Sequence, residues 1–327
     1  CDWSSDVCSS DLGPGAAFCS APMSVPPTTD PAAASLRWPF RLTIALLVVV
    51  VVLILMGAMV TSTGSGMAFL DWPYSDGELM PERAFTEPSA FLEHFHRVIG
   101  ALAGMIVLGL ALWLQLGKLG SPGLRKAVWG GVALISVQGA IGGIHVLKGA
   151  PALTASIHGT LAQVTIASFA VIAYALSQRW RATECVPHAS AGSARVLSAV
   201  GLVALILQTI VGAIARHANQ AHALWTHVGN AFVVFLLLLC VGGFLVGRFA
   251  AIPGVRGLVR TLLILLVFQI ALGFGALLVR TGKDPKNIQY LWRALLISSH
   301  VLVGAMLTVT TSLLAAHVRR GSRPLAG

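Results

Sequence analysis

Charged residues are scarce in this chain. Asp, Glu, Lys and Arg make up 10% of its 327 residues, and only 12 residues are acidic. A soluble domain would carry about 25% charged residues, so this composition excludes a soluble globular fold. The remainder is apolar, with 56% hydrophobic residues and a mean hydropathy of +0.82. Apolar segments long enough to cross a bilayer recur, and a helix satisfies its own backbone there. We therefore predict an all-α membrane protein.

Cysteine is also scarce, and its positions exclude a disulfide framework or a zinc site. Cys185 lies in a connection and Cys240 in the middle of an apolar segment, too far apart to pair. The other cysteines lie in residues 1–36, which open at Cys1 and resemble translated adapter sequence followed by a Pro/Ala/Thr-rich tail. We interpret residues 1–36 as a disordered or artefactual N-terminal segment. The chain also lacks a Ser/His/Asp set and a nucleic-acid-binding module, so no nucleic-acid partner is expected.

The apolar segments number eight, and their charged flanks predict an orientation. Their approximate bounds are 41–61, 91–116, 126–147, 153–177, 195–215, 223–247, 257–279 and 291–316. Most of the 22 Lys and Arg residues fall on the side that holds both termini, whereas the longest connection, 62–90, is rich in acidic residues. The positive-inside rule then predicts cytoplasmic termini and a multi-pass protein of the cell inner (plasma) membrane.

An internal repeat divides the chain into two halves. The motif Gln-x-x-x-Gly marks the third, fifth and seventh segments, and the first segment has Leu in place of Gln. The motif positions are Leu53 and Gly57, Gln138 and Gly142, Gln208 and Gly212, and Gln269 and Gly273. We interpret the motif mainly as a device for close helix packing. Four segments per half give both halves the same direction, so we predict two pseudo-symmetric four-helix bundles, at 37–190 and 191–327.

A histidine lies near the outer end of every even-numbered segment. These are His96, His158, His227 and His300. Ionisable residues inside membrane helices are costly and indicate functional sites, and neutral imidazole is a common axial ligand of haem iron. One such histidine alone would as readily be structural. Four at matching depth in a repeat predict two bis-histidine haem sites.

Other polar residues near the outer face receive secondary roles. The haem propionates are expected to meet Arg97, Arg216, Arg280 or Lys148 at that face. The remaining histidines are interpreted as background. His94 is two residues from His96 and points elsewhere on the helix, whereas the others lie near loops or at the inside face; they are His145, His188, His217, His222 and His317.

Glu93 distinguishes the first half from the second. It precedes His96 by three residues, hence on the same helix face, and precedes Arg97 by four. Its repeat counterpart is Leu224. Two interpretations stay open: a structural ion pair with Arg97, or a carboxylate that moves a proton at the edge of a haem pocket.

These residues together resemble the haem A synthases over about residues 41–317. The resemblance rests on the order and spacing of several short pieces. They are Gly64, Ser65 and Gly66; Asp71, Trp72 and Pro73; Glu93 through Arg97; Gln138, Gly142 and Gly143 with Val146 and Leu147 before His158; and the later His227 and His300.

The resemblance implies an enzymatic activity and a different role for each histidine pair. The enzyme would oxidise a methyl group of haem O to a formyl group, giving haem A for cytochrome c oxidase assembly. His96 and His158 would receive haem O, His227 and His300 would hold haem b as an electron-transfer cofactor, and Glu93 would match the essential carboxylate. Haem O synthase would be the upstream partner, with an electron donor that the resemblance does not identify.

Two positions depart from the family pattern. Some members have a cysteine pair in the first outer loop where this chain has Phe69 and Ser75, so a loop disulfide is not expected. Many members have Arg where this chain has Thr61, although the repeat counterpart Arg216 is present.

Two other functions remain as alternatives. A non-catalytic dihaem b electron carrier of the membrane would explain the symmetric ligands. A transporter built on parallel repeats would explain the duplication, but it is disfavoured because the middles of the segments are rich in Leu, Val and Ala.

Overall fold

A computed structural model describes residues 35–218, 220–280 and 289–325. Its elements are α1 (Arg37–Thr63), α2 (Arg83–Thr86), α3 (Pro88–Leu116), α4 (Pro122–Leu147), α5 (Ala152–Leu176), α6 (Gln178–Ala182), β1 (Val186–Pro187), α7 (Ala191–His217), α8 (Ala221–Phe249), α9 (Val255–Arg280), α10 (Gln289–Gly321) and β2 (Ser322–Arg323). The two short strands pair in parallel. Except for residues 35 and 36, the segment interpreted as disordered or artefactual lies outside the described residues.

Eight of these helices are long and apolar enough to cross a membrane, which confirms the predicted spans and makes this a multi-pass membrane protein. The helices extend beyond the apolar segments at several ends. α4 begins at Pro122 rather than 126, because the Ser121 hydroxyl accepts a hydrogen bond from the Leu124 N–H at 3.2 Å and proline is favoured in the first helical turn. α10 continues to Gly321, past the predicted end at 316.

The long helices contact one another in two rings. α1, α3, α4 and α5 close one ring, in which each helix contacts the next and α5 returns to α1. α7, α8, α9 and α10 close a second ring in the same order. The rings meet where α5 contacts α7 and α10, and where α1 contacts α10. Each ring has its own buried cluster, built around Leu46, Leu110 and Phe169 in the first and Leu238 and Leu262 in the second.

Polar side chains join the two rings at their boundary. The Arg216 guanidinium on α7 donates to the Ala58 carbonyl at 2.9 Å and to the Ser62 hydroxyl at 2.8 Å, both on α1. Deeper in the membrane, the Gln163 side-chain oxygen lies 3.4 Å from the hydroxyls of Thr209 and Thr308. Buried polar atoms are costly unless paired, so these contacts favour one arrangement of the rings.

The connection between α1 and α3 is an ordered loop above the first ring, at the end of the helices opposite both described termini, which we call the outer end. α1 ends at Gly64 in the left-handed conformation (φ 69°), as a helix C-terminus often requires. The Asp71 carboxylate accepts hydrogen bonds from the N–H groups of Asp76 (3.0 Å) and Gly77 (2.8 Å). The Gly77 hydrogen bond is the main cause that lowers the pKa of the Asp71 carboxyl, so the loop is braced by an ionised side chain.

Trp72 anchors this loop to α4. A Cβ added at Gly143 would lie 2.5 Å from Trp72 Cδ2, so the indole lies directly against the glycine backbone. Only glycine permits this approach, and it positions the loop over the outer end of the first ring.

We expect Gly143→Ala to loosen the loop, because the added methyl group overlaps the indole and such overpacking costs roughly 1–3 kcal/mol. The measurement is amide hydrogen exchange of residues 65–80 in the purified protein. Gly139→Ala on the same helix is the matched control, since no atom lies within 4 Å of a Cβ built there. Equal exchange in the two variants would contradict the anchoring role.

Candidate functional site

The four histidines at the outer helix ends form two facing pairs. The ring centroids of His96 on α3 and His158 on α5 are 6.4 Å apart, with the ring planes at 73°. Those of His227 on α8 and His300 on α10 are 6.2 Å apart, with the planes at 90°. Each pair joins helices that are not neighbours in their ring, so the imidazoles face each other across the middle of that ring.

The spacing suits one metal ion between two imidazoles. A bond from a metal ion to an imidazole nitrogen is about 2 Å long, and the ring centroid lies about 1 Å beyond that nitrogen. Two imidazoles on opposite sides of one ion would therefore have centroids about 6 Å apart, close to both observed values. The donor set fits haem iron, for which paired neutral imidazoles are suitable axial ligands.

A glycine on the preceding long helix contacts each of these histidines. An added Cβ would lie 2.7 Å from His96 Cε1 at Gly57, 3.0 Å from His158 Cε1 at Gly142, 2.6 Å from His227 Cε1 at Gly212, and 3.1 Å from His300 Cε1 at Gly273. In all four contacts Cε1 is the atom nearest to the glycine, followed by Nδ1 and then Nε2. The same contact therefore orients all four rings in the same way.

The glutamine of the repeated motif contacts the same neighbouring helix. The glutamine precedes the glycine by four residues, so both positions lie on the same helix face. The Gln138 amide donates to the His158 carbonyl at 3.0 Å, and the Gln208 amide donates to the His227 carbonyl at 2.8 Å. The Gln269 amide nitrogen lies 3.3 Å from His300 Nε2. These contacts agree with the interpretation of the motif as a helix-packing device.

Glu93 lies beside this site in the first ring and is 4% exposed. One carboxylate oxygen accepts hydrogen bonds from the backbone N–H groups of Ala68 (2.7 Å) and Phe69 (3.2 Å). The other oxygen forms an ion pair with Arg97. The ion pair predicted from the sequence is therefore present, and the carboxylate also holds the start of the outer loop. Its role in moving a proton stays a prediction.

The Arg97 guanidinium forms its hydrogen bonds with the outer loop. It donates to the carbonyl oxygens of Asp71 and Tyr74, both at 2.7 Å, and to that of Phe69 at 3.3 Å. These carbonyls and Glu93 contact both terminal nitrogens of the guanidinium, and the expected contact with a haem propionate stays a prediction. Arg216 is likewise engaged at the boundary between the rings, and the side chain of Arg280 lies outside the described residues.

Two histidines interpreted as background are buried. His94 is 3% exposed, with Nδ1 at 3.0 Å from the Ser75 hydroxyl and Nε2 at 3.1 Å from the Met80 sulfur. Phe69 packs edge-to-face on the same ring, so both positions that depart from the family's cysteine pair contact His94. His317 is 1% exposed and so is not solvated, because Tyr174 and the Pro253 carbonyl contact its two ring nitrogens. Neither set of contacts was predicted from the sequence, because the partners lie far from these histidines along the chain.

The chain has recognisable relatives. Residues 40–233 match the COX15-CtaA family, described as cytochrome oxidase assembly protein. The chain is 29% identical over 144 residues to a Heme A synthase of Symbiobacterium thermophilum, a match that covers 44% of this chain and 46% of that protein. It is 26% identical over 183 residues to a Heme A synthase of Bacillus pumilus, covering 54% and 57%.

A Heme A synthase of Bacillus licheniformis is 36% identical over 115 residues, covering 34% of this chain and 36% of that protein. The chain thus spans about half or less of the length of most of the curated relatives that it matches. The family match is longer than these alignments and includes Glu93, His96, His158 and His227. Because it covers more than half of the sequence, the chain belongs to the COX15-CtaA family of cytochrome oxidase assembly proteins.

Proposed function

We propose that this chain is a haem A synthase, which oxidises a methyl group of haem O to a formyl group. The observation that carries the proposal is the fourfold contact between a glycine and a histidine, which arranges two imidazole pairs at 6.4 and 6.2 Å. Family membership and the names of the relatives support the same activity. Haem O is then the substrate, and haem A is the product for cytochrome c oxidase assembly.

The proposed architecture is two pseudo-symmetric four-helix bundles, formed by residues 37–190 and 191–327. The two closed rings of helix contacts support it, as does the matching orientation of the four histidines. Both termini are proposed to be cytoplasmic, since most Lys and Arg residues lie on their side and cytoplasmic connections carry an excess of these residues.

The proposed assignment gives each bundle a different haem. His227 and His300 would hold haem b, which when bound supplies electron transfer. His96 and His158 would receive haem O. The assignment is supported by the outer loop, which is anchored to α3 through Glu93 and to α4 through Gly143, both in the first bundle. A covered site can orient a substrate and exclude water around it.

Glu93 is proposed to act in the first bundle as the carboxylate that moves a proton at the edge of the substrate site. It lies three residues before His96, on the same face of α3. Its hydrogen bonds from Ala68 and Phe69 and its ion pair with Arg97 hold the carboxylate in one place. The same contacts support the structural alternative, in which Glu93 only braces the loop.

The proposed partners follow from the reaction. Haem O synthase would supply the substrate, the cytochrome c oxidase assembly machinery would take the product, and an electron donor of unassigned class would be required. No nucleic acid is involved in this proposal.

A non-catalytic dihaem b electron carrier is the second candidate. It is favoured by the near-equal geometry of the two histidine pairs, which would suit two permanently held haems. The formation of haem A distinguishes the two candidates, because the electron carrier would form no new haem.

The first test is co-expression with haem O synthase in a host that makes haem O but lacks haem A. We expect mass analysis of the extracted haems to find haem A or its hydroxylated precursor. Unchanged haem O beside two firmly bound haem b molecules would contradict the synthase and support the carrier.

His227→Ala tests the haem b assignment. Because it would remove one of the two imidazoles proposed to hold haem b, we expect the purified protein to lose the low-spin haem b absorption spectrum. His222→Ala is the matched control, since that exposed histidine lies on the same helix outside the pair. If the two variants retained equal amounts of low-spin haem b, His227 would not be a ligand.

Glu93→Gln tests the carboxylate. Loss of general acid–base catalysis typically costs about 10² to 10⁴ in rate, so we expect haem A formation to fall at least about 100-fold. The spectrum of the second bundle should stay unchanged, and Glu87→Gln in the exposed ion pair with Arg83 should retain activity. Hydrogen exchange of the loop is the second measurement. If haem A formation falls only in proportion to faster loop exchange, the bracing role is favoured. Normal haem A formation would contradict the proton-transfer role, and unchanged loop exchange would contradict the bracing role.

A further inference from the structure

A cleft of about 420 Å³ lies between the two rings, at the end of the helices that holds both described termini. α1, α5, α9 and α10 form its walls, and most of its lining is apolar, as at Phe40, Val51 and Ile166. It follows α1 from Phe40 to Val51, about 16 Å at 1.5 Å per residue. Its size falls in the range of small-molecule sites, and its shape suits a hydrocarbon chain.

One end of the cleft is polar. Tyr174, Ser177, Arg179 and His317 are among its lining residues. The Tyr174 hydroxyl donates to His317 Nδ1, and His317 Nε2 donates to the Pro253 carbonyl at 2.9 Å. The Ser177 hydroxyl donates to the Tyr174 carbonyl at 2.6 Å. These three side chains therefore already have partners within the protein.

Arg179 differs from the other polar residues at this end. In the part of the chain that the structure describes, every ion pair lies in or beside the outer loop, and none involves Arg179. Gly254 makes room for its guanidinium: its φ is 103°, and an added Cβ would lie 3.3 Å from Arg179 Nη1. The neighbouring Arg181 and Arg320 instead donate to the carbonyls of Leu176 and Trp180. A positive charge thus borders the apolar cleft without a neutralising carboxylate.

The position of the cleft argues against a redox-active occupant. Arg179 lies beside His317, which is 17 residues beyond His300 on α10, or about 25 Å along the helix. A quinol bound there would be far from either histidine pair. A neutral lipid would leave the guanidinium unused, whereas a phosphate pairs well with arginine.

We propose that this cleft binds one anionic phospholipid, with an acyl chain along α1 and the phosphate beside Arg179. The site is independent of the proposed catalytic function. Because its walls come from both rings, the bound lipid fills the space between them and stabilises their contact. The proposed ligand is a phosphate headgroup that is covalently joined to an acyl chain. Inorganic phosphate alone should therefore not replace it.

The test is native mass spectrometry of the full-length protein in mild detergent, with added phosphatidylglycerol or phosphatidylcholine. We expect tighter binding of phosphatidylglycerol, and a reduction of about fivefold in Arg179→Gln, in line with one basic residue acting on an anionic headgroup. Arg181→Gln is the matched control, since its guanidinium donates to a backbone carbonyl, and it should bind within about twofold of the unmodified protein.

A second pair of variants tests the acyl-chain site without removing charge. Ile44 lines the cleft and is 41% exposed, so Ile44→Trp fills it with little risk to folding. Val48, 60% exposed and outside the lining, provides the control Val48→Trp. We expect only Ile44→Trp to weaken phosphatidylglycerol binding. Equal binding of the two lipids, an Arg179→Gln protein that binds normally, or a co-purified quinone in the cleft would each overturn the proposal.

Discussion

The contact between a glycine backbone and an imidazole ring is the constraint on which the arrangement of this protein depends. A Cβ at Gly57 or Gly212 would overlap the facing histidine, and one at Gly142 or Gly273 would crowd it, so each glycine permits the close approach of two helices. The same contact fixes the ring orientation, because the edge of the imidazole formed by Nδ1, Cε1 and Nε2 faces the glycine in all four cases. Helix packing and ligand geometry therefore have one cause in both rings.

The two rings differ at their outer ends. In the first ring, the Arg97 guanidinium donates to carbonyl oxygens of the outer loop, and the Glu93 carboxylate accepts hydrogen bonds from two N–H groups of the same loop. In the second, Leu224 stands at the position of Glu93 and offers no such bonds. Adjacent glycines on α4 serve separate purposes, since Gly142 contacts His158 and Gly143 contacts Trp72. The loop and the histidine pair are thus positioned by the same turn of one helix.

The sequence predicted the eight helices and the pairing of His96 with His158 and of His227 with His300, because apolar length and repeat spacing are local signals. It also predicted the ion pair of Glu93, which depends on spacing within one helix. It did not predict the carbonyl contacts of Arg97, which depend on the path of the loop. It did not predict the burial of His317, which depends on contacts with Tyr174 and Pro253, both distant in sequence.

The last helix has a consequence for how the protein is made. The buried cluster of the first ring includes Ala305 on α10, and α10 contacts both α1 and α5. During synthesis the first four long helices enter the membrane well before α10 exists. Until α10 arrives, one side of the first ring faces lipid or an insertion factor, and Ser62 lacks its contact with Ser298. Completion of the N-terminal half therefore waits for the C-terminal end of the chain.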